Sequence, residues 1–328
     1  MNIIVTGANG FIGTNLINEL LNEKEYQITA LVREKSKRND LKEEERLSVI
    51  EVNYMEEETG RRFHNQDICI HLIGQMGKYG VKEEEFREIN VNLTMRILRW
   101  CEQEGVKQFI FCSTPGVQGF GHRLAVEEER YAPRNFYEKT KAQAEKEIIS
   151  FCQKADIKYT IIRPDFVYGP GDRRRIKMYK NIKEKKFILT TSGKAYLHPT
   201  YILDVTQGFM KSLGNVYAYN QIFNISAKED VTSQKYLTII ADCVNSRLIH
   251  INIGYKISVF LASIAERVFE KLLKKESFVS KNKIDFLALD HSTSNKKAEK
   301  LIGFAPEYDI KKGMEQTISW CTREKLLD

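Results

Sequence analysis

Residues 1–13, MNIIVTGANGFIG, run from a short apolar stretch directly into three glycines, and a helical pattern follows over residues 14–21. An apolar strand, a glycine-rich loop and a helix in this order are typical of the first βαβ unit of a dinucleotide-binding fold. Gly7 permits a tight turn, Gly10 lets the backbone approach a pyrophosphate, and Gly13 lets the helix pack closely on the strand. The amides at the start of the helix would then face the phosphates.

Apolar runs that fit buried strands recur along the first half of the chain. They are Ile3–Val5, Ile28–Val32, Leu47–Val52, Ile68–Leu72, Phe109–Cys112 and Tyr159–Ile162. Helical patterns such as Met95–Cys101 and Lys139–Phe151 separate the later runs. This alternation predicts an α/β fold with a doubly wound parallel sheet that helices cover on both faces.

The regular alternation ends at Arg163-Pro164, and the breaker Gly169-Pro170-Gly171 leads into an irregular, Lys-rich half. We therefore predict an NAD(P)-binding Rossmann domain over residues 1–163. A smaller, mostly helical substrate-binding lobe is predicted over residues 164–328, with segments that can interleave with the first domain. The ligand cleft is expected at the carboxyl ends of the strands.

Composition limits the class of protein. The chain has 328 residues, a net charge of +7 with 29% charged residues of both signs, and six cysteines without a C-x-x-C pair. These features are typical of a cytoplasmic protein with reduced thiols and a solvated, Lys-rich surface. We expect a small-molecule substrate and no nucleic-acid partner, and the sequence leaves a monomer and a homodimer both open. Because the glycine motif starts so early and no apolar stretch reaches about 18 residues, we expect neither a signal peptide nor a membrane span.

One segment of the second half has an apolar helical face. Its apolar residues are Ile257, Phe260, Leu261, Ile264, Val268 and Leu272, and Lys271, Lys274 and Lys275 lie at its end. Lysines in a last turn suit the helix dipole, so we predict a helix whose apolar face points to the core or caps the substrate pocket. A helix lying on a membrane surface is the alternative.

A second motif, Tyr137-Glu-Lys-Thr-Lys141, opens a predicted helix and places Tyr137 and Lys141 on one face. A nearby ammonium favours the phenolate, so Lys141 is expected to lower the pKa of Tyr137 and make it a general acid and base. Ser113 and Thr114 follow the strand-like run 109–112, where sites on such sheets are built. Either hydroxyl can hold the substrate oxygen that Tyr137 protonates or deprotonates.

With these motifs the chain resembles the extended short-chain dehydrogenases/reductases, also called the NAD-dependent epimerase/dehydratase family. The resemblance covers nearly the whole length. Beyond the two motifs above, it rests on His71-Leu72-Ile73-Gly74, Asn90-Val91-x-x-Thr94, Arg163-Pro164-x-x-Val167-Tyr168-Gly169-Pro170-Gly171-Asp172, His198-Pro199-x-Tyr201-x-x-Asp204-Val205, Asn224-Ile225-Ser226, and Lys297-Ala298 through Leu301-x-Gly303-Phe304-x-Pro306 to Trp320.

The resemblance implies a set of cofactor contacts. They are Gly7, Gly10, Gly13, Phe11, Ile12, Leu72, Gly74, Asn90, Thr114, Tyr137 and Lys141, with Lys141 also on the nicotinamide ribose. Counted back from Val117-x-Gly119, Thr114 matches the family's active-site Ser/Thr better than Ser113 does. Both hydroxyls stay candidates.

Departures from the family pattern narrow the reaction. Dehydratases of the family carry Asp-Glu after the active-site Thr, where this chain has Pro115-Gly116, so dehydration is not expected. Many members that act on nucleotide sugars carry a substrate-binding Asn where this chain has Phe166. The basic run that follows, Arg173, Arg174 and Arg175 with Lys177 beyond, either binds a diphosphate by charge-assisted bonds or is a solvated face.

The choice of cofactor depends on the end of the second strand. An acid there would bind the ribose hydroxyls of NAD, but this chain has Arg33, followed by Lys35, Lys37 and Arg38. A guanidinium suits the 2′-phosphate, so NADP is favoured over NAD. Glu34 is the counter-argument, because NAD is favoured if its carboxylate faces the ribose.

The six histidines show no metal-ligand spacing, so we expect no metal, and His71 and His198 are expected to be structural hydrogen-bonding residues. The sequence therefore predicts an NAD(P)-dependent enzyme that transfers hydride at a carbinol or ketone carbon of a sugar-type substrate, with a nucleotide sugar as one candidate. One alternative is an NADPH-dependent ketone reductase, resembling hydroxysteroid or dihydroflavonol reductases, that releases its cofactor at each turnover. The other is a cofactor-binding scaffold or sensor without turnover.

Overall fold

The structure is a computed structural model that describes residues 1–33, 41, 44–77, 80–272, 277 and 279–328. Its strands are β1 (Asn2–Thr6), β2 (Gln27–Arg33), β3 (Leu47–Val52), β4 (Ile68–His71), β5 (Gln108–Cys112), β6 (His122–Ala125), β7 (Lys158–Pro164), β8 (Val167–Tyr168), β9 (Ile188–Leu189), β10 (Tyr196–Leu197), β11 (Thr200–Tyr201), β12 (Gln221–Ile225), β13 (Val231–Thr232), β14 (Ile249–His250) and β15 (His291–Thr293).

The helices cover both faces of the sheet and make up most of the second half. They are α1 (Phe11–Asn22), α2 (Glu83–Arg87), α3 (Leu93–Gln103), α4 (Phe136–Cys152), α5 (Ile176–Lys183), α6 (Ile202–Ser212), α7 (Ser233–Cys243), α8 (Tyr255–Leu272), α9 (Lys281–Ala288), α10 (Lys296–Ile302) and α11 (Ile310–Arg323).

Within the described residues, seven strands form one sheet in the order β12-β7-β5-β4-β1-β2-β3, with every neighbouring pair parallel. The strand order reverses between β1 and β4, which is the switch point at which ligands bind in doubly wound sheets. The predicted Rossmann fold is confirmed, and each of the six predicted strand runs lies on a strand of this sheet.

The sheet is buried on both faces because successive side chains of a strand point in opposite directions. On β1, Ile3 and Val5 belong to the core on one side of the sheet, and Ile4 belongs to the core on the other side. All three side chains are inaccessible to solvent. Such continuous apolar strands are the sequence signature of a covered parallel sheet.

The two halves of the chain interleave. Strand β12 comes from the second half but pairs with β7 at the edge of the main sheet, with Asn224 opposite Arg163. In the other direction, β6 of the first half pairs with β15 near the C-terminus. Helix α6 packs against α1. The division at residues 163 and 164 stays a prediction about two lobes, since strands pass between them.

Helix α8 corrects one expectation. Its apolar residues Ile257, Phe260, Leu261, Ile264 and Val268 are exposed, so the prediction that they point to the core or cap the pocket is wrong. The inward positions are taken by small residues, Ser258 and Ala262, which let the helix approach its neighbours closely. The side chains of Lys271 and Leu272, and all of Lys274 and Lys275, lie outside the described residues. In the described parts of the chain, no helix is both long and apolar enough to cross a bilayer.

Candidate active site

The glycine loop between β1 and α1 has the shape that a dinucleotide needs. Gly7 has φ +70°, a backbone conformation that side chains rarely allow. A Cβ on Gly13 would lie 2.5 Å from the carbonyl oxygens of Gly7 and Ala8. Gly10 occupies the cap of α1, and no side chain of the described residues caps its first turn. The free amides of that turn can therefore bind a pyrophosphate, and the loop fits this group.

The loop after β4 closes beside Lys141. The Asn90 side chain makes two hydrogen bonds to the backbone of this loop. Its Oδ1 accepts from the Gln75 N–H at 2.7 Å, and its Nδ2 donates to the Gln75 carbonyl at 3.0 Å. A Cβ on Gly74 would lie 3.2 Å from the Lys141 ammonium. Of the other predicted cofactor contacts, Phe11 and Leu72 are partly buried against the core.

Lys141 is buried and donates hydrogen bonds to two backbone carbonyls at the ends of neighbouring strands. Its ammonium donates to the Cys112 carbonyl at 2.9 Å and to the Ile73 carbonyl at 3.4 Å, and lies 4.4 Å from the centre of the Phe111 ring. Burial lowers the pKa of Lys141 to about 8. The cation thus joins the end of β5 to the segment that follows β4, at the carboxyl edge of the sheet.

Tyr137 lines a cleft at the start of α4. Burial raises the pKa of its phenol, and the Arg174 guanidinium is the cation that acts in the opposite direction. The expectation that Lys141 brings this pKa down is not met, because the ammonium of Lys141 is directed to backbone carbonyls and desolvation of the phenol dominates. In this structure, burial therefore favours the protonated phenol of Tyr137.

The two candidate hydroxyls have different surroundings. Ser113 is buried and donates its hydroxyl proton to the Glu145 carboxylate. Thr114 is partly exposed, and its oxygen accepts from the Gly116 N–H at 3.2 Å as the cap of a short 3-10 turn, Pro115–Gln118. Both residues border the cleft that Tyr137 lines.

This cleft has a volume of about 300 Å³ and brings both halves of the chain together. Its lining includes Ile12, Thr114, Tyr137, Phe166, Arg174 and Arg175. The start of the dinucleotide helix, the candidate acid and base, and the substrate residues predicted in the second half therefore share one cavity. Arg173 and Lys177 are exposed, and Arg173 is not among the described residues that line the cleft.

The basic run is partly neutralised by a buried acid. Asp172 accepts from Arg174 Nε at 3.1 Å and also from the Arg175 guanidinium. Burial alone would raise the pKa of Asp172, but the two arginines hold it below its ordinary value. Two guanidiniums on one carboxylate leave this group of three residues with one excess positive charge. Arg175 also lies 4.4 Å over the ring of Phe166, so the cation and the aromatic ring form one wall.

Several cleft residues were not predicted from the sequence, among them Phe286 and His291. Phe286 packs edge-on against Phe166 with ring centres 4.5 Å apart. The His291 Nδ1 atom donates to the Leu289 carbonyl at 2.9 Å, so its Nε2 is an acceptor, and this atom is buried without a partner in the described part of the chain. Burial lowers the pKa of His291 to about 4, which keeps the ring neutral. These residues carry no motif, and both lie more than a hundred positions from Tyr137.

The two histidines that matched the family, His71 and His198, do not line the cleft and are hydrogen-bonded inside the protein. His71 is buried between the hydroxyls of Thr6 at 2.7 Å and Thr94 at 3.0 Å. Nδ1 of His198 lies 2.9 Å from the Thr293 carbonyl. Among the described residues, no cluster of three potential metal ligands is present.

Arg33 ends β2 at the same edge of the sheet and is exposed. Its strand partner is Val52 on β3. The other residues of the cofactor argument, Glu34, Lys35, Lys37 and Arg38, lie outside the described residues.

The sequence model of the NAD dependent epimerase/dehydratase family matches residues 3–226. The chain belongs to this family. The resemblance inferred from the motifs is confirmed, and so is the expectation of an NAD-dependent enzyme of the epimerase or dehydrogenase kind.

Relatives in the family differ in what they act on. A UDP-glucose 4-epimerase of Vibrio cholerae is 26% identical over 73% of this chain and 74% of its own length. A decarboxylating sterol-4-alpha-carboxylate 3-dehydrogenase of Candida albicans is 24% identical over 79% of this chain and 77% of its own length. The structure of UDP-glucuronic acid 4-epimerase from Bacillus cereus, with UDP-glucuronic acid and NAD, aligns with a TM-score of 0.80 at 20% identity over 99% of this chain and all of the other.

Proposed function

We propose that this family member is an epimerase that inverts a carbinol carbon of a nucleotide sugar and keeps its nicotinamide cofactor through the cycle. The observation that carries the proposal is the shared cleft, in which Ile12 of the dinucleotide helix meets Tyr137 and the cation Arg174. The bound cofactor supplies a hydride acceptor and donor. The glycine loop and Lys141 are the groups that hold it.

Tyr137 moves the proton in this proposal. The phenolate form of Tyr137 takes the proton of the substrate hydroxyl during oxidation, and the phenol that this forms returns the proton during reduction. Arg174 favours the phenolate and so offsets part of the cost of burial. Thr114 is the hydroxyl that orients the substrate oxygen, because Ser113 is already bound to Glu145.

The excess positive charge of the basic run supports a substrate with phosphate groups. Asp172 fixes Arg174 and Arg175 in place, and half of the Arg174 side chain is still accessible. A fixed guanidinium suits a diphosphate, which accepts charge-assisted hydrogen bonds. The known substrates named for the Vibrio and Bacillus enzymes carry such a group.

The aromatic wall favours a second candidate, reduction of an apolar ketone with release of the cofactor. Phe166 and Phe286 replace polar surface in the cleft with two packed rings, and the Candida relative acts on a sterol. The scaffold alternative has less support, because Tyr137 lines the cleft and Lys141 donates to the carbonyl of Cys112, which also lines it.

The test is incubation of the purified enzyme with UDP-glucose, UDP-glucuronic acid or the free sugars, without added cofactor, followed by NMR of the products. We expect inversion of a UDP-sugar, no reaction of the free sugar, and a nicotinamide dinucleotide retained in the protein by mass spectrometry. A protein that is purified empty and converts a ketone only with added NADPH would refute the epimerase and support the reductase.

We further propose that the cofactor is NADP, since the cation Arg33 lies where an acid would select NAD. Arg33→Ala is expected to weaken NADPH binding by about 1.5–3 kcal/mol, or roughly 10- to 150-fold, and to leave NADH binding unchanged. Fluorescence titration of both dinucleotides, after the retained cofactor has been removed, checks this, with the exposed Arg61→Ala as the matched control. Tighter binding of NADH than of NADPH by the wild type would contradict it.

A cytoplasmic location and a homodimer also stay predictions.

A further inference from the structure

Helix α8 presents a continuous apolar strip to solvent. The exposed fractions are 54% for Ile257, 64% for Phe260, 50% for Leu261, 45% for Ile264 and 43% for Val268. These positions recur three and four residues apart, so they lie on one face of the helix. Tyr255, at the start of the helix, and Ile251, four residues before it, are exposed as well.

The burial pattern of α8 is the reverse of that of an ordinary core helix. Its buried positions carry small side chains, Ser258 and Ala262, while its large apolar side chains point outward. Specific bonds fix this orientation, because the Ser258 hydroxyl donates to the Thr190 carbonyl at 3.1 Å and the Tyr255 hydroxyl donates to the buried Asp285 at 2.8 Å. The exposed strip is therefore a fixed feature of the fold.

Cations border the strip. Lys256 and Arg267 are both exposed, and they lie about three helical turns apart, which places them on the same side of α8 next to Phe260 and Ile264. The acid between them, Glu266, is half-buried and accepts from the Lys281 N–H at 3.4 Å. An apolar strip with a basic margin complements a surface that is apolar inside and anionic outside.

We propose that α8 docks the enzyme on an anionic membrane surface, with the apolar strip in the acyl–headgroup boundary and Lys256 and Arg267 on lipid phosphates. A second copy of the chain complements the strip less well, since an antiparallel twofold contact through α8 would bring the basic margin of one copy towards that of the other. Helix α8 packs on α9, and α9 carries Phe286 of the cleft. Docking through α8 thus brings the cleft close to the membrane.

Flotation of the full-length protein with vesicles tests the proposal. The vesicles contain phosphatidylglycerol and phosphatidylcholine in equal parts, or phosphatidylcholine alone. We expect the wild type to float with the anionic vesicles, less so as salt rises, and the pair Phe260→Ser with Leu261→Ser to bind about tenfold more weakly or worse. The matched control is the pair Val216→Ser with Tyr217→Ser, which removes equally exposed apolar side chains from another surface and should float like the wild type.

Three outcomes would overturn the proposal. They are a wild type that stays with the buffer, equal losses in the two variant pairs, and a wild-type dimer by light scattering that the α8 pair converts to monomer without any lipid binding. The last outcome would assign the strip to self-association. Because α8 lies outside the catalytic cleft, the α8 pair keeps wild-type turnover on a soluble substrate, so this test and that of the proposed function fail separately.

Discussion

Replacement of Tyr137 by phenylalanine is expected to lower kcat by about 10²-fold or more while dinucleotide affinity stays at the wild-type level. The substitution removes one oxygen and leaves the ring, so packing at the start of α4 is preserved. Burial raises the pKa of the phenol, so the oxygen that the substitution removes is the donor that protonates the ketone in the reduction step. The measurement is single-turnover kinetics beside a fluorescence titration of the cofactor.

Tyr217→Phe is the control, since Tyr217 is exposed away from the cleft and should keep full turnover. If the Tyr137 variant turned over at a near-normal rate on a confirmed substrate, another group would be moving the proton. A loss confined to KM would point to substrate placement instead.

The central sheet was predictable because its signal is local. Each buried parallel strand is a short apolar run, and the glycine loop identifies the first βαβ unit. The seventh strand, β12, was missed because Gln221–Ile225 reaches the sheet from the irregular half of the chain. Pairing between Asn224 and Arg163 is a long-range property that a run of five residues does not reveal.

Some residues of the candidate site were likewise predictable from local sequence, and others were not. Tyr137, Lys141 and Thr114 were predicted because they belong to short motifs at strand and helix ends. Phe286 and His291 reach the cleft through folding of the second half, and no spacing indicates them. The ion pairs of the basic run on Asp172 depend on side-chain geometry as well.

Helix α8 shows the limit of periodicity most directly. Spacing correctly placed Phe260, Leu261 and Ile264 on one face, but it does not say whether that face points inward. The face of the helix that packs closest to its neighbours becomes the buried one. In α8 this is the face that carries the small residues Ser258 and Ala262. An apolar stripe opposite small residues would have been the sequence signal for the observed orientation.

The second large effect is expected at Glu145, whose carboxylate holds a fully buried guanidinium. Arg163 donates to Glu145 through Nε at 3.0 Å and through Nη2 at 2.6 Å, and neither side chain is appreciably accessible. Ser113 and Tyr131 donate to the same carboxylate. All the acceptor capacity of Glu145 is therefore used inside the protein.

Glu145→Gln is expected to lower the free energy of unfolding by about 3–5 kcal/mol, because it leaves the Arg163 charge buried without a counter-charge. Urea denaturation measures this loss. Glu147→Gln on the same helix is the control, since Glu147 is partly exposed, and it should change stability by less than about 0.5 kcal/mol. A loss as small in the Glu145 variant as in the control would show that the pair is not needed for folding.

A double variant separates the buried charge from simple loss of contacts. When Arg163→Met is added to Glu145→Gln, the unpaired guanidinium disappears, so the double variant is expected to be more stable than Glu145→Gln alone. Turnover should not recover with stability, because the carboxylate also binds Ser113, the residue before Thr114. Stability that returns while kcat stays low would show that Glu145 both neutralises Arg163 and positions the active-site strand end.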